Sequence, residues 1–438
     1  MNEIDKITTF FSREQLFQAY LDVEAALARS QAKQKIIPES AAQKITEMAL
    51  IANLNIDNIN QSLDKTGHPL VPLIWELDRV CGPEAGGYIH WGATTQNITQ
   101  TGKLLLVKQF HQLFLEQILK LLDVLSDLAL ETKNYALPGR THGQHAVPAT
   151  FGYKIAVWID ELIRHFHRFK NCEERVFVTM LGGGAGTMAS VGMEGLETQK
   201  LMAEELGFTS MSMPARTIGD HLTEYILNLA MFAATSSKMA REIYTLMKQE
   251  FGEVEEPVPD GAVGSSTMPQ KRNPRNCQDI VAWAAELRSL VPMSLEAMQT
   301  EHEADKTTSM MINVAIDRSC ELTNKIVNSS IYIFSDLKVF PDRMRKNLDL
   351  SGGLIMSEQI MLELGKKLGR QRAHDVVYDA AQHSAKTGVD FISALNEQQE
   401  ITQNFNSEEI NSMLDPEQYL GLCVYFAEHF AAEAKKLL

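Results

Sequence analysis

The chain is poor in cysteine, in positive charge and in long apolar runs, and each shortage removes a class of protein. Its five cysteines (Cys81, Cys172, Cys277, Cys320 and Cys423) are scattered, odd in number and form no C-x-x-C pair. That pattern argues against a disulfide framework or a thiolate metal site, and for a reducing, cytoplasmic setting. Lysine and arginine total 41 against 56 acidic residues, a formal net charge of −15. A nucleic-acid surface is therefore not expected, and a small anionic substrate would need a local basic pocket. No apolar run approaches the roughly 20 residues that span a bilayer, so no membrane partner is expected. The opening MNEIDKITTFF has no basic region followed by an apolar core, which argues against a signal peptide.

Strand signal is also scarce, and helical periodicity takes its place. Hydrophobic residues make up 45% and charged residues 22% of 438, a soluble globular balance with room for two or three domains. Ser12 is a candidate N-cap ahead of Leu16, Tyr20, Val23 and Leu27, which recur at the helical spacing. Pro38 opens a second short helix, residues 53–60 read as a break, and residues 70–80 are a short apolar stretch. Five long helical patterns follow, at 101–135, 151–178, 217–251, 275–300 (with a kink expected at Pro292) and 307–337. Shorter helices are expected at 354–364, 373–386, 391–395 and 416–430. The fold expected is all-α: a small helical region 1–98, a central bundle 99–350 of five long helices, and a C-terminal helical domain 351–438. The wide apolar faces of the long helices suggest packing between copies.

The most informative stretch is residues 261–274, GAVGSSTMPQKRNP. Glycines at its start let the backbone bend. Ser265 and Ser266 supply hydroxyls, and Lys271, Arg272 and Asn273 supply polar donors. Pro274 suits a first helical position. The stretch reads as a loop delivering serines and cations to a helix N-terminus, an arrangement that favours anions. Gly264, Ser265, Ser266, Pro269, Lys271 and Asn273 reproduce G-S-S-x-x-P-x-K-x-N. This resembles the signature of the fumarase/aspartase superfamily of lyases, and the full run is most similar to its branch of adenylosuccinate lyases and 3-carboxy-cis,cis-muconate cycloisomerases.

Two further motifs match that resemblance in order. Residues 140–148, RTHGQHAVP, carry His142 and His145 in what reads as a loop; without H-E-x-x-H or a nearby third ligand they make a poor metal site. The resemblance implies that His142 is the acid/base partner, work that an imidazole suits, and that Thr141 holds a substrate carboxylate. Residues 87–97, GYIHWGATTQN, supply His90, Thr94, Thr95 and Gln96, and resemble a carboxylate-binding element in which Asn97 stands where an Asp is usual. His68, in the turn T-G-H-P, falls where the family has a substrate-contacting histidine. Met268, Ser266 and Arg272 join the substrate-binding candidates through the signature.

The same likeness implies chemistry. Ser265 would be the base that removes a proton beside a carboxylate; Lys271, Asn273, Thr94 and Thr141 would hold the resulting negative charge; His142 would serve the leaving group. No metal or organic cofactor is implied. The implied assembly is a homotetramer whose sites draw on three subunits, acting on a small polycarboxylate. The leading expectation is adenylosuccinate lyase-like C–N cleavage releasing fumarate. Lactone-forming cycloisomerase chemistry is the alternative, and a catalytically silent relative the second. Residues 301–313, EHEADKTTSMMIN, hold Lys306 as their only basic side chain beyond histidine, so the usual nucleotide-phosphate anchors are missing. Gln278 stands where many relatives have a Glu that hydrogen-bonds the catalytic histidine; it can orient an imidazole but adds no charge. Gly184-x-Gly186-x-x-Ala189 formally matches a dinucleotide fingerprint, but no βαβ pattern surrounds it, and a tight turn is the better reading. The charges at 216–220 read as solvated helix caps. No G-x-S-x-G elbow surrounds Ser265, which excludes a serine hydrolase of that type.

Overall fold

The helical period in the sequence is realised along most of the chain. The computed structural model describes residues 10–259, 261, 267–268 and 270–438, and among these the strands form only three two-stranded sheets. Helix α1 (Arg13–Lys33) starts where Ser12 Oγ accepts the N–H of Gln15 at 3.4 Å. Helix α2 (Glu39–Met48) follows Pro38. The break expected at 53–60 is instead a 3-10 turn, Ile51–Asn53, and then helix α3 (Ile56–Thr66). Its asparagines disguised it. Asn55 is the N-cap, accepting the Asn58 N–H at 3.1 Å, and Ile59 is buried. Helix α4 (Val71–Cys81) completes a core of Leu21, Leu27, Ile45, Ile59, Leu70 and Leu77.

All five long helices are present. Helix α5 (Thr95–Glu131) has 37 residues, a rod of about 55 Å. It starts six residues before the expected 101 and stops early, because hairpin strands β1 (Ala136–Thr141) and β2 (Gln144–Thr150) follow. Helix α6 (Phe151–Val176) leads into β3 (Val178–Thr179), helix α7 (Glu194–Leu206) and β4 (Thr209–Ser210), which pairs parallel with β3. Helix α8 (Asp220–Leu246) and strand β5 (Val254–Glu255) precede α9 (Arg275–Glu296), which runs on through Pro292. Helix α10 (Lys306–Ser335) is the last long one. No helix among the described residues is long and apolar enough to cross a membrane.

The chain divides into two units: one of residues up to 117, 165–234 and 282–328, the other of 118–164, 235–281 and 329–438. In the first, beside the α1–α4 core, Phe114 meets Phe169 and Phe232 edge-on, with ring centroids 5.0 and 4.9 Å apart. Each such buried pair adds about 1 kcal/mol beyond the area it removes from water.

The second unit holds the hairpin. Residues 140–148, expected as a loop, are strand and turn. Pro138 and Pro148 face each other in the register, and prolines hide strand character in a sequence. His142 (φ 53°) and Gly143 (φ 78°) are both left-handed, the requirement of the two-residue turn that best fits a twisted hairpin. Strand β6 (Lys338–Val339) pairs with β5, and helix α11 (Pro341–Leu348) packs on β1. Helices α12 (Ser357–Leu368), α13 (Arg370–Thr387), α14 (Phe391–Asn396), α15 (Gln399–Thr402), α16 (Ser407–Met413) and α17 (Cys423–Lys435) finish the chain. Most of them surround Ile360, Leu364, Ala380, Phe391, Leu395 and Ile410. The helix expected at 416–430 is a 3-10 turn, Pro416–Gln418, followed by α17.

An ion pair anchors the hairpin. Glu253, wholly buried, accepts from Arg140 Nη1 at 3.1 Å and from Asn347 Nδ2 at 2.7 Å, and the Arg140 guanidinium lies 5.0 Å from the centroid of the Phe251 ring. Removing one partner of a buried pair strands the other charge. Glu253→Ala is expected to destabilise the protein by about 3–5 kcal/mol, read as a lower thermal-unfolding midpoint, with Arg140→Ala costing a similar amount.

Candidate active site

Three sequence motifs are placed in the first unit. His68 caps α4: its Nδ1 accepts the N–H groups of Leu70 at 3.3 Å and Val71 at 3.1 Å. An Nδ1 that accepts carries no proton, so the ring presents Nε2–H as a donor. His90 sits in a left-handed turn, φ 60°, an uncommon and strained place for a non-glycine residue. Thr94, Thr95 and Gln96 follow at the start of α5, all half-buried.

Asn97 is engaged by the backbone around it. It is fully buried, and its Oδ1 accepts the N–H of Thr94 at 3.0 Å and of Gly183 at 3.2 Å. It joins the threonine turn to the glycine segment 182–186. A Cβ on Gly182 would lie 2.1 Å from the carbonyl oxygen of Pro214, so this segment is a close-packed joint, as the turn reading expected.

Gln96 starts a polar chain. Its Nε2 donates to Gln100 Oε1 at 3.0 Å and to the Arg216 carbonyl at 2.9 Å, and its Oε1 accepts from Arg216 Nε at 3.0 Å. Arg216 Nη1 also donates to the Gly184 carbonyl at 2.6 Å. Arg216 is thus no solvated cap, and the expectation for it is corrected. The amide of Gln100 lies 3.2 Å from His221 Nε2; an NH2 can only donate, so the His221 proton is on Nδ1. Gln96, Gln100 and Arg216 border a cleft that Lys103, Thr300, Ser309 and Asn313 also line. Lys103 Nζ is held by both oxygens of Asp317, at 2.6 and 2.7 Å. Burial pushes the Asp317 carboxyl up despite that lysine, and burial with Asp317 pushes the Tyr20 hydroxyl up to about 12. Asp305 is a true cap, accepting the Thr307 N–H at 2.8 Å at the start of α10.

The second unit holds the other candidates. Thr141 and His142 are exposed at the hairpin tip, and His145 is half-buried. Burial, then Arg140, holds the His145 imidazole below its usual range. Ser265 and Ser266 lie outside the described residues. Met268, Lys271 and Arg272 are exposed and Asn273 is half-buried; the Lys271 N–H donates to the Met268 carbonyl at 3.1 Å. Gln278 is exposed as well. The helix that follows is not an open anion site. Buried Glu256 accepts the N–H of Asn276 at 3.0 Å through Oε1 and of Cys277 at 3.1 Å through Oε2. The chain's own carboxylate fills the N-terminus of α9, so affinity for an anion there falls to the side chains of Lys271 and Arg272.

Comparison with known proteins decides the family. Residues 1–287 match the family described as "Lyase" and residues 353–430 the one described as "Adenylosuccinate lyase C-terminus". The chain belongs to the fumarase/aspartase superfamily of lyases. An adenylosuccinate lyase of Methanothermobacter thermautotrophicus is 35% identical over 436 residues, 99% of this chain and 97% of that protein. An N-acetyl-S-(2-succino)cysteine lyase of Enterococcus italicus is 36% identical over 407 residues, 92% of this chain and 88% of that protein. The 3-carboxy-cis,cis-muconate lactonizing enzyme of Pseudomonas putida has a similar structure, with TM-score 0.90 and 30% identity over 99% of this chain and 97% of that one.

For a superfamily lyase, sequence reasoning missed the supporting residues: Glu24, Glu253, Glu256, Gln100 and His221. A signal existed for the first. Glu24 and Gln31 stand seven apart, hence on one face of α1, among residues that are otherwise apolar and buried.

His221 gives this polar chain a pH dependence. Burial, opposed by Asp220 and Glu224, lowers its pKa from 6.5 to about 4. The unfolded chain takes up that proton near 6.5, so between there and 4 it binds more protons than the folded one. The stability from neutral His221 is complete above 6.5 and is lost as pH falls to 4, an effect of about 3 kcal/mol. Unfolding midpoints measured from pH 7.5 down to about pH 4.5 are expected to fall less steeply in His221→Gln than in the wild type.

Proposed function

We propose that this lyase carries out a cofactor-free β-elimination on a succinyl-type polycarboxylate, breaking a C–N bond and releasing fumarate. One observation carries the reading. Relatives named for adenylosuccinate and for N-acetyl-S-(2-succino)cysteine match at 35% and 36% identity. Those substrates share a succinyl group on a heteroatom and little else, so the succinyl half is what carries over. Ser265 takes the proton beside a carboxylate and the electron pair spreads onto that carboxylate. Lys271, Asn273, Thr94 and Thr141 hold the negative charge, each such donor being worth about 3 kcal/mol in a water-poor site. The pair then returns, the C–N bond breaks, and His142 gives the departing nitrogen its proton. His68 and His90, with Thr95, Gln96, Ser266, Met268 and Arg272, bind the substrate.

The leaving side is open to argument from charge. In the cleft beside Gln96, Lys103 is engaged by Asp317, and Arg216 by Gln96 and Gly184. With Lys306 the only basic residue besides His302 in 301–313, that cleft favours an unphosphorylated leaving group over a nucleotide. The muconate lactonizing enzyme supports a second reading, in which an internal carboxylate leaves or adds in place of an amine. A homotetramer with sites shared by three subunits suits both. Met310 and Val314, one turn apart on α10, are 60% and 59% exposed in the single chain, as surfaces that pack between copies are.

Absorbance assays are the test, for fumarate released from adenylosuccinate, argininosuccinate, N-substituted aspartates and N-acetyl-S-(2-succino)cysteine, and for loss of the conjugated diene of carboxymuconate. Turnover is expected on at least one succinyl compound. Ser265→Ala is expected to lower kcat by roughly 10³-fold or more with the oligomer intact. Turnover of carboxymuconate alone would replace this reading with the cycloisomerase. No turnover on any compound would leave a silent relative, and an unchanged rate in Ser265→Ala would remove that serine from the mechanism.

A further inference from the structure

His90 is held at two points by a single side chain. Glu24 of α1, only 2% exposed, accepts the His90 backbone N–H through Oε2 at 3.2 Å and faces the ring Nδ1 through Oε1 at 2.6 Å. Two turns further along α1, buried Gln31 donates to the Trp91 carbonyl at 2.8 Å. The helix thus clamps the strained turn from one face. A purely structural clamp needs only the backbone bonds. The ring contact goes beyond that, and it has a chemical consequence.

We propose that Glu24 is a positioning residue of this site: it keeps the His90 proton on Nδ1 and so leaves Nε2 as the proton-accepting atom of the ring. A carboxylate can only accept, so the ring nitrogen it faces must donate. A histidine oriented by a carboxylate at Nδ1 has its tautomer and its ring plane fixed together. His68 is set in the opposite sense, because two backbone N–H groups occupy its Nδ1. The fold therefore supplies one donor imidazole and one acceptor imidazole from neighbouring motifs. A donor suits a substrate carboxylate. An acceptor suits an N–H or O–H of the substrate, whose proton Nε2 can take and return while Nδ1–H and the Glu24 carboxylate stay as they are.

The proposal rests on the elimination reading for its role in turnover, but not for its geometry, and two measurements separate them. The first uses solid-state ¹⁵N spectra of the full-length protein with labelled histidine. The signals lost in His90→Asn belong to His90, and asparagine tolerates the left-handed turn. They are expected to show a protonated Nδ1 in the wild type, and a shift of the proton toward Nε2 in Glu24→Gln. A wild-type His90 protonated on Nε2 alone would overturn the proposal, whatever the enzyme acts on. The second is kinetic, on whichever compound is turned over. Glu24→Gln is expected to lower kcat roughly tenfold or more, and to change it less than about twofold when added to His90→Asn. An equal loss in both backgrounds would make Glu24 a structural clamp only. If no compound is turned over, the elimination reading fails and the spectra alone decide the positioning role.

Discussion

A carboxylate removed from water must be surrounded by donors, and this chain applies that constraint at three of its candidate site motifs. Glu24, Glu253 and Glu256 are each buried to within a few per cent. Each spends its oxygens on a different motif: the His90 turn, the hairpin that carries Thr141 and His142, and the residues that follow the signature stretch. None of these acids is a candidate to touch substrate. Leaving one unpaired would cost several kcal/mol, so each motif is fixed by what its glutamate would lose if the motif moved. Rigid placement of this kind is what electrostatic stabilisation of a carbanion requires, since donors that must reorganise contribute little.

The helices were legible because burial imposes a period. Five long apolar patterns became five long helices, and errors at their ends followed from contacts that periodicity does not report. Helix α5 begins at Thr95 because Asn97 ties Thr94 and Gly183 together, a contact between residues far apart in sequence. The hairpin was hidden by its prolines, and α3 by its asparagines. The candidate site residues were picked out by motif, whereas the residues that hold those motifs in place were not. Glu24 and His90 are 66 residues apart, and no local pattern joins them.

Histidine illustrates how position decides chemistry for one residue type. His68 is an acceptor at Nδ1 and caps a helix; His90 is held by an acid; burial and Arg140 lower the pKa of His145; His221 is kept neutral by burial alone against two nearby acids. His142 stands at an exposed tip whose backbone admits few residues. A sequence presents these as five similar letters. Hydrogen-bond partners separate His68 from His90, and burial sets His145 and His221 apart from both.

Glu256 also has a consequence for evolution. It lies before the signature stretch and binds the first turn of the helix after it, so Glu256 and residues 276–277 are stapled together by side-chain hydrogen bonds. Joining two fixed points of a chain costs only about 0.6 kcal/mol more for each doubling of the flexible length between them. A change in the number of residues between those two points therefore need not unseat α9, whose first turn stays bound to Glu256.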